Sequence, residues 1–375
     1  MARYKPSASP SSRKQAEPSL RYRRMVVKAG TTVLTDGAGR LDLEALTGLV
    51  AQLAHLQQMG AEVVLVTSGA IAAGQDVLSA SKDRKGVPFR QVLAAVGQGR
   101  LMHIYEQLFS EHGIAVAQAL VTRGDMDDRQ GYLNVRNTLL ALLDLGVVPV
   151  VNENDVVAVE EIGEEVFGDN DRLSALVANL VDADLLVLLT DTDGLYTADP
   201  HLEPTAQLVR RVEQVDAAIE ALASGYHKPL SRGGMPTKLE AARLAASSGV
   251  AVVICNGRKP RVVVRLAQGE ELGTLFVPTS SKVESRKRWM LSGLSLRGEV
   301  VVDDGAVAAL RHQSRSLLPA GVQGIEGQFQ RGDIVVIVGS DGQRVACGIV
   351  NYDSQEMARI QGCRSDRIQA LLGHH

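Results

Sequence analysis

From Met25 onward the chain alternates between two hydrophobic rhythms. MVVKAG, EVVLVTSGA, IAVAQALVT, VVPVVNEND, ADLLVLLTDTDG and VAVVICNG are short, nearly unbroken apolar runs, each closed by Gly, Ser, Thr, Asn or Asp. Runs of this kind predict strands, and their continuous apolar character predicts a parallel sheet covered on both faces. Between them the apolar positions recur with helical spacing. Leu46, Leu49, Val50, Leu53 and Leu56 fall on one face, with Gly60 placed to end the helix. Leu173, Leu176, Val177 and Leu180 form a second such face, preceded by Asn170 and Asp171 in the position of N-cap residues. The two rhythms together predict a doubly wound, mainly parallel α/β sandwich.

Ligands of open α/β sheets bind beyond the carboxyl ends of the strands, so the polar residues closing each run are the candidate site. Lys28 ends the first strand and leads into Gly30, Thr31 and Thr32, where a glycine lets backbone N–H groups approach a phosphate and the lysine adds a mobile cation. Ser68, Gly69 and Ala70 follow the second strand at a helix start, a place suited to an anion. The run VVPVV delivers Asn152, Glu153, Asn154 and Asp155 in succession, more polar groups than a turn requires and suited to an ammonium-bearing ligand. In FGDNDRLSAL, Asp169, Asn170 and Asp171 precede a helix that one carboxylate could cap. The surplus acids suit orienting lysines or holding a metal through water. Thr190 and Asp191 close another buried strand, before a long turn shaped by Gly194, Asp199 and Pro200 that could seat a base or ribose.

The stretch RGGMPTKLEAARLAA has glycines and a lysine before a helical pattern without the spacing of a P-loop. Pro236 suits the first helical position, which puts Lys238 in the first turn. A cation there opposes the helix dipole by about 0.3–1 kcal/mol, so the position makes sense if an anion binds at that end, beside the N–H groups of Gly233 and Gly234. Lys28 and Lys238 would then clamp a phosphate from two sides, with the acids holding them in place, a design for phosphoryl transfer by position and charge.

Composition narrows the partners. The 375 residues exceed the usual ~100–200 of one domain, which predicts a large and a small unit. A net charge of −3 gives no whole-chain case for nucleic acid or membrane binding. Cys255, Cys347 and Cys363 are too few and too scattered for a disulfide framework or zinc site, pointing to a reducing cytoplasm. The longest apolar stretch is interrupted by Asp144, Gly146 and Pro149 and falls short of the about 20 residues that span a bilayer. Residues 1–24 carry Arg3, Lys5, Arg13, Lys14, Arg21, Arg23 and Arg24 against Glu17, with prolines, serines and no apolar run. They read as a disordered basic tail.

VVKAGTTVLT, VTSGAIAAG, VLAAVGQGRLM, LVTRGDMDDRQGYLNVRNTL, PVVNENDVVA, FGDNDRLSAL, LLTDTDGLYTADP and RGGMPTKLEAA, in this order, resemble the amino acid kinase family across nearly the whole chain after the tail. The NEND and GDND segments resemble its branch acting on glutamate. The resemblance implies the amino acid kinase fold and ATP-dependent phosphorylation of the side-chain carboxylate of L-glutamate, the first step of proline biosynthesis, with Mg²⁺ accompanying ATP and no separate protein metal site. Carried over residue by residue, it makes Lys28, Lys238 and Asp171 catalytic. Lys28, Thr190, Asp191, Arg232, Gly233, Gly234, Met235, Pro236, Thr237 and Lys238 become ATP contacts, and Ser68, Asp155 and Asn170 become glutamate contacts. Arg232 and Pro236 depart from the Thr and Ser frequent in the family. The resemblance also brings in proline as a feedback inhibitor, a homo-oligomer, and a glutamate-5-semialdehyde dehydrogenase that receives the acyl phosphate. A kinase of another acidic amino acid, aspartate or N-acetylglutamate, is the enzymatic alternative.

The boundaries expected are a catalytic domain over 25–277, a polar, basic linker over 278–296 containing Arg286 and Trp289, and a β-rich domain over 297–375 that resembles a PUA domain. PUA domains bind RNA in other enzymes, which makes an RNA-directed role the second functional alternative. RNA binding calls for basic clusters with stacking aromatics. This segment carries Asp303, Asp304, Asp333, Asp341, Asp353 and Glu356 with few aromatics beyond Phe329 and Tyr352, so nucleic acid is not the expected partner.

Overall fold

The computed structural model describes residues 20–78, 87–127, 129–157, 170–200, 202–224, 234–280, 298–313, 316–331 and 333–373. All six expected runs are strands: β1 (Arg24–Ala29), β2 (Glu62–Thr67), β3 (Val116–Val121), β4 (Val148–Glu153), β5 (Leu185–Thr190) and β7 (Ala251–Asn256). Two short strands without a readable pattern, β6 (Arg211–Val212) and β8 (Thr274–Phe276), complete an eight-stranded sheet in the order β3-β4-β2-β1-β5-β7-β8-β6. Neighbours from β3 to β7 are parallel, whereas β8 runs antiparallel to β7. The sheet grows away from β1 in both directions, which places a topological switch at the carboxyl end of β1.

Residues of period two sort onto the two faces. Met25, Val27 and Ala29 of β1 enter the core shared with the helices Leu43–Gln58 and Val87–Ser110, and Val26 enters the opposite core with the helices Asn170–Leu180 and Met235–Ser247. By that alternation Lys28 sits on the face of Val26. Asn152 follows Val150 onto the face of the helix Val87–Ser110.

Three expectations change. β3 is not covered on both faces: only its Val121 is buried and Leu120 is exposed, and among the described residues it also forms the sheet edge. Residues 20–24, assigned from composition to the tail, belong to the fold. Arg21 N donates to Ala267 O (2.8 Å), Leu20 and Tyr22 pack on the core, and Arg24 opens β1. Asn170 and Asp171 are the first two residues of their helix, their side chains drawn away from capping by partners on other elements.

A second sheet of β9 (Gly298–Val302), β10 (Val322–Gly327), β11 (Ile334–Gly339) and β12 (Arg344–Ile349), in the order β10-β9-β11-β12, has its own core around Val300, Val302, Phe329, Val335 and Ile337. The basic stretch with Arg286 and Trp289 lies outside the described residues. No described helix is long and apolar enough to cross a membrane.

Candidate active site

The carboxyl end of β1 meets the amino ends of two helices, and their three charged residues touch. Lys28 Nζ lies 2.6 Å from Asp171 Oδ1, and Lys238 Nζ donates to Asp171 Oδ2 at 3.0 Å. All three side chains are buried. Thr237 Oγ1, 3.0 Å from the same Oδ2 and 2.9 Å from Gly234 O, has a proton for one of them. The helix bearing Lys238 starts at Met235 with Gly234 as N-cap, so Pro236 is its second residue, one later than expected. That position also lacks an intrahelical N–H partner, so proline costs nothing there. A Cβ on Gly30 would come within 3.2 Å of Lys28 Nζ, so the glycine keeps the space the ammonium uses.

Burial alone would raise the pKa of Asp171, but the attraction of Lys28 and Lys238 outweighs it and holds the carboxyl well below the ordinary range. Asp171 is therefore a fixed anion and a poor base. The amino ends of two helices meet here, and their dipoles add positive potential beside the two ammoniums.

A chain of amides adjoins this cluster. Asn170 Nδ2 lies 2.8 Å from Thr67 O, 2.9 Å from Ser68 Oγ and 3.0 Å from Asn152 Oδ1, with two protons to share among these three acceptors. Asn152 Nδ2 in turn reaches Gln98 Oε1 (2.8 Å). Gly69 follows Ser68 with φ +105°, a left-handed turn that lets the helix Ala70–Leu78 begin at once. Asp155, just beyond β4, has its pKa raised by burial, with Arg90 acting against the rise.

Thr190 and Asp191 lie at the exit of β5, with Thr190 Oγ1 3.2 Å from Asp191 Oδ1. The turn after β7, which the sequence reading left unassigned, ties two of these exits together. Asn256 Nδ2 donates to Asp191 O (3.4 Å) and Asp193 Oδ1 (3.2 Å), and Lys259 Nζ pairs with Asp193 Oδ2 (2.6 Å). The Arg258 guanidinium donates to Thr32 O (3.2 Å) and Thr35 O (2.9 Å) of the turn after Lys28. Its only signal in the sequence was polar residues following a buried strand. Asp169, Arg232 and Gly233 lie outside the described residues.

Thus Lys28, Asp171, Thr237 and Lys238 form one contact group, Ser68, Asn152 and Asn170 a second, and Asp155, Thr190 and Asp191 occupy neighbouring strand exits. Among the described residues no three His, Cys, Asp or Glu side chains cluster as a metal site.

Residues 23–256 match the amino acid kinase family, and residues 298–372 match the PUA domain. The chain is 53% identical over 352 residues to the glutamate 5-kinase of Dehalococcoides mccartyi strain CBDB1, covering 94% of each chain. It is 51% identical over 353 residues to that of Herpetosiphon aurantiacus, covering 94% of this chain and 95% of the relative, and 50% identical over 352 residues to that of Pseudomonas entomophila, covering 94% of each. With the strand-exit cluster, these matches extend from the sheet through the C-terminal unit, and the chain belongs to the amino acid kinase family.

Proposed function

We propose that the chain transfers the γ-phosphoryl group of ATP to the side-chain carboxylate of L-glutamate, giving L-glutamyl 5-phosphate and ADP, the first step of proline biosynthesis. The observation that carries the reading is the buried Lys28–Asp171–Lys238 cluster at the carboxyl end of the sheet, in a chain about half identical along nearly its whole length to glutamate 5-kinases.

In the reaction a carboxylate oxygen of glutamate bonds to the γ-phosphorus as the bond to the β,γ-bridging oxygen breaks. A carboxylate with a pKa of about 4.3 is already ionised at neutral pH, so no general base is needed. That agrees with the permanent ionisation of Asp171. Lys28 and Lys238 stabilise the charge on the transferring oxygens, and Asp171 holds both ammoniums in place. Thr190, Asp191 and the segment from Arg232 to Lys238 bind ATP, whereas Ser68, Asp155 and Asn170 bind glutamate.

Magnesium fits this site as part of the co-substrate. The described residues offer no carboxylate cage, and Mg²⁺ is commonly held by phosphates and water with few protein ligands. It would neutralise charge on the ATP phosphates. The same proposal includes a cytoplasmic homo-oligomer, proline as feedback inhibitor, and hand-over of the acyl phosphate to a glutamate-5-semialdehyde dehydrogenase. The reactivity of an acyl phosphate favours such a hand-over.

The test is an ATP-dependent hydroxamate assay with glutamate, aspartate and N-acetylglutamate in parallel. Product from glutamate far above the other two is expected; preference for either rival would overturn the assignment.

A further inference from the structure

The segment VLAAVGQGRLM carries part of the family resemblance, yet none of the roles above uses it. Its helix, Val87–Ser110, crosses the helix Ala70–Leu78 with backbones almost touching. A Cβ on Gly97 would lie 1.7 Å from Ala70 O, and one on Gly74 would lie 2.0 Å from Leu93 O. This crossing fixes the next residue, Gln98, beside the end of β4, where its Oε1 accepts from Asn152 Nδ2 at 2.8 Å.

Two backbone groups determine how all three amides in this chain are turned. Glu153 N, 2.9 Å from Asn152, can only donate, so the Asn152 atom facing it is the oxygen. The nitrogen of Asn152 therefore faces Gln98, and Gln98 must answer with its oxygen. At the other end Thr67 O can only accept, so Asn170 turns its nitrogen to it and to Asn152 Oδ1. What remains are an enclosed acceptor, Asn170 Oδ1, and an enclosed donor, Gln98 Nε2, neither with a hydrogen-bond partner among the described residues. Unpaired buried polar atoms are rare in folded proteins. An acceptor held open beside Ser68 suits the ammonium group of an amino acid.

We propose that Gln98 is a positioning residue for the amino-acid substrate, acting through Asn152 to hold Asn170 in place with its oxygen left for the ligand. Without Gln98 the Asn152 nitrogen loses its acceptor. Turning that amide over would set its nitrogen against the Glu153 N–H and the Asn170 nitrogen, so Asn152 and Asn170 would lose their fixed geometry together.

The inference rests on the reading of Asn170 as a glutamate contact, and one experiment separates the two. Gln98→Met keeps the side-chain volume and removes the acceptor. It should raise KM for glutamate about tenfold, the effect of one hydrogen bond, while KM for ATP, which also reports an intact fold, stays unchanged. In the Asn152→Ala background the same substitution should add nothing further, as expected of residues that act as one unit. Equal rises in both KM values, additive effects in the double variant, or an unchanged KM for glutamate would each overturn the positioning role. Asn170→Ala is measured alongside. If it leaves KM for glutamate unchanged, the reading of the amino-acid site fails; if it raises that KM and Gln98→Met does not, only the role of Gln98 fails.

Discussion

Lys28 and Asp171 form an ion pair at 2.6 Å with both side chains buried, one at the end of the first strand and the other in the first turn of a helix that follows the fourth. Lys238 reaches the other oxygen of the same carboxylate. The carboxylate therefore spaces two ammoniums that would otherwise repel each other.

Removing one cation should affect the chemical step more than binding. Lys238→Ala is expected to lower kcat by about 10³ or more, the range that a transition-state cation supplies in phosphoryl transfer. Steady-state kinetics on protein shown by circular dichroism to be folded would check this. Near-normal kcat would exclude a role for Lys238 in transfer.

Asp171→Asn should destabilise the fold by about 3–5 kcal/mol, because it leaves buried charges uncompensated. The folded carboxyl has a lowered pKa, so its contribution is complete above the ordinary aspartate value of 3.8 and is lost progressively as pH falls from there through the lower folded value. The stability gap between wild type and variant, measured by urea denaturation, should stay level from about pH 5 to 8 and narrow only in stronger acid. A gap that closed near neutral pH would contradict the ion cluster.

Asp155 is expected to act on one substrate only. Asp155→Ala should raise KM for glutamate far more than KM for ATP, a loss of ground-state binding confined to the amino acid. Equal changes in the two constants would refute its assignment.

Gly97→Ala would force a methyl group against the carbonyl of Ala70 and the amide of Gly74, which are backbone atoms that cannot rotate away. The expected cost is about 1–3 kcal/mol or more by urea denaturation, as for overpacked cores. Weaker glutamate binding should accompany it, because the same crossing positions Ser68 and Gln98. Unchanged stability would mean that the helices separate freely.

A protein ending near Thr279 should still form the acyl phosphate. The described contacts of the candidate site all come from residues before that point, and the second sheet has a separate core. Hydroxamate formation by the truncated protein, after its fold is confirmed, tests this; a folded but inactive fragment would mean that the catalytic unit extends further.

The sequence by itself marked the longer strands of the large sheet and most of the charged site residues. Continuous apolar runs marked six of the eight strands of the large sheet, helical spacing marked the buried face from Leu46 to Leu56, and polar residues after each run marked the strand exits. Those signals are local, arising from burial on a repeat of two or 3.6 residues. What the tertiary structure alone decided is which exits lie side by side. Only the order β4-β2-β1-β5-β7 brings Asn152, Ser68, Lys28, Thr190 and Asn256 to one edge. The acids around Asn170 were expected to hold the lysines, and only helix packing on one face of β1 makes Asp171 the residue that both Lys28 and Lys238 touch. Gln98 had no signal in the pattern of its own helix. Its position follows from two helices meeting at Gly74 and Gly97, which set its oxygen where it accepts from the Asn152 amide.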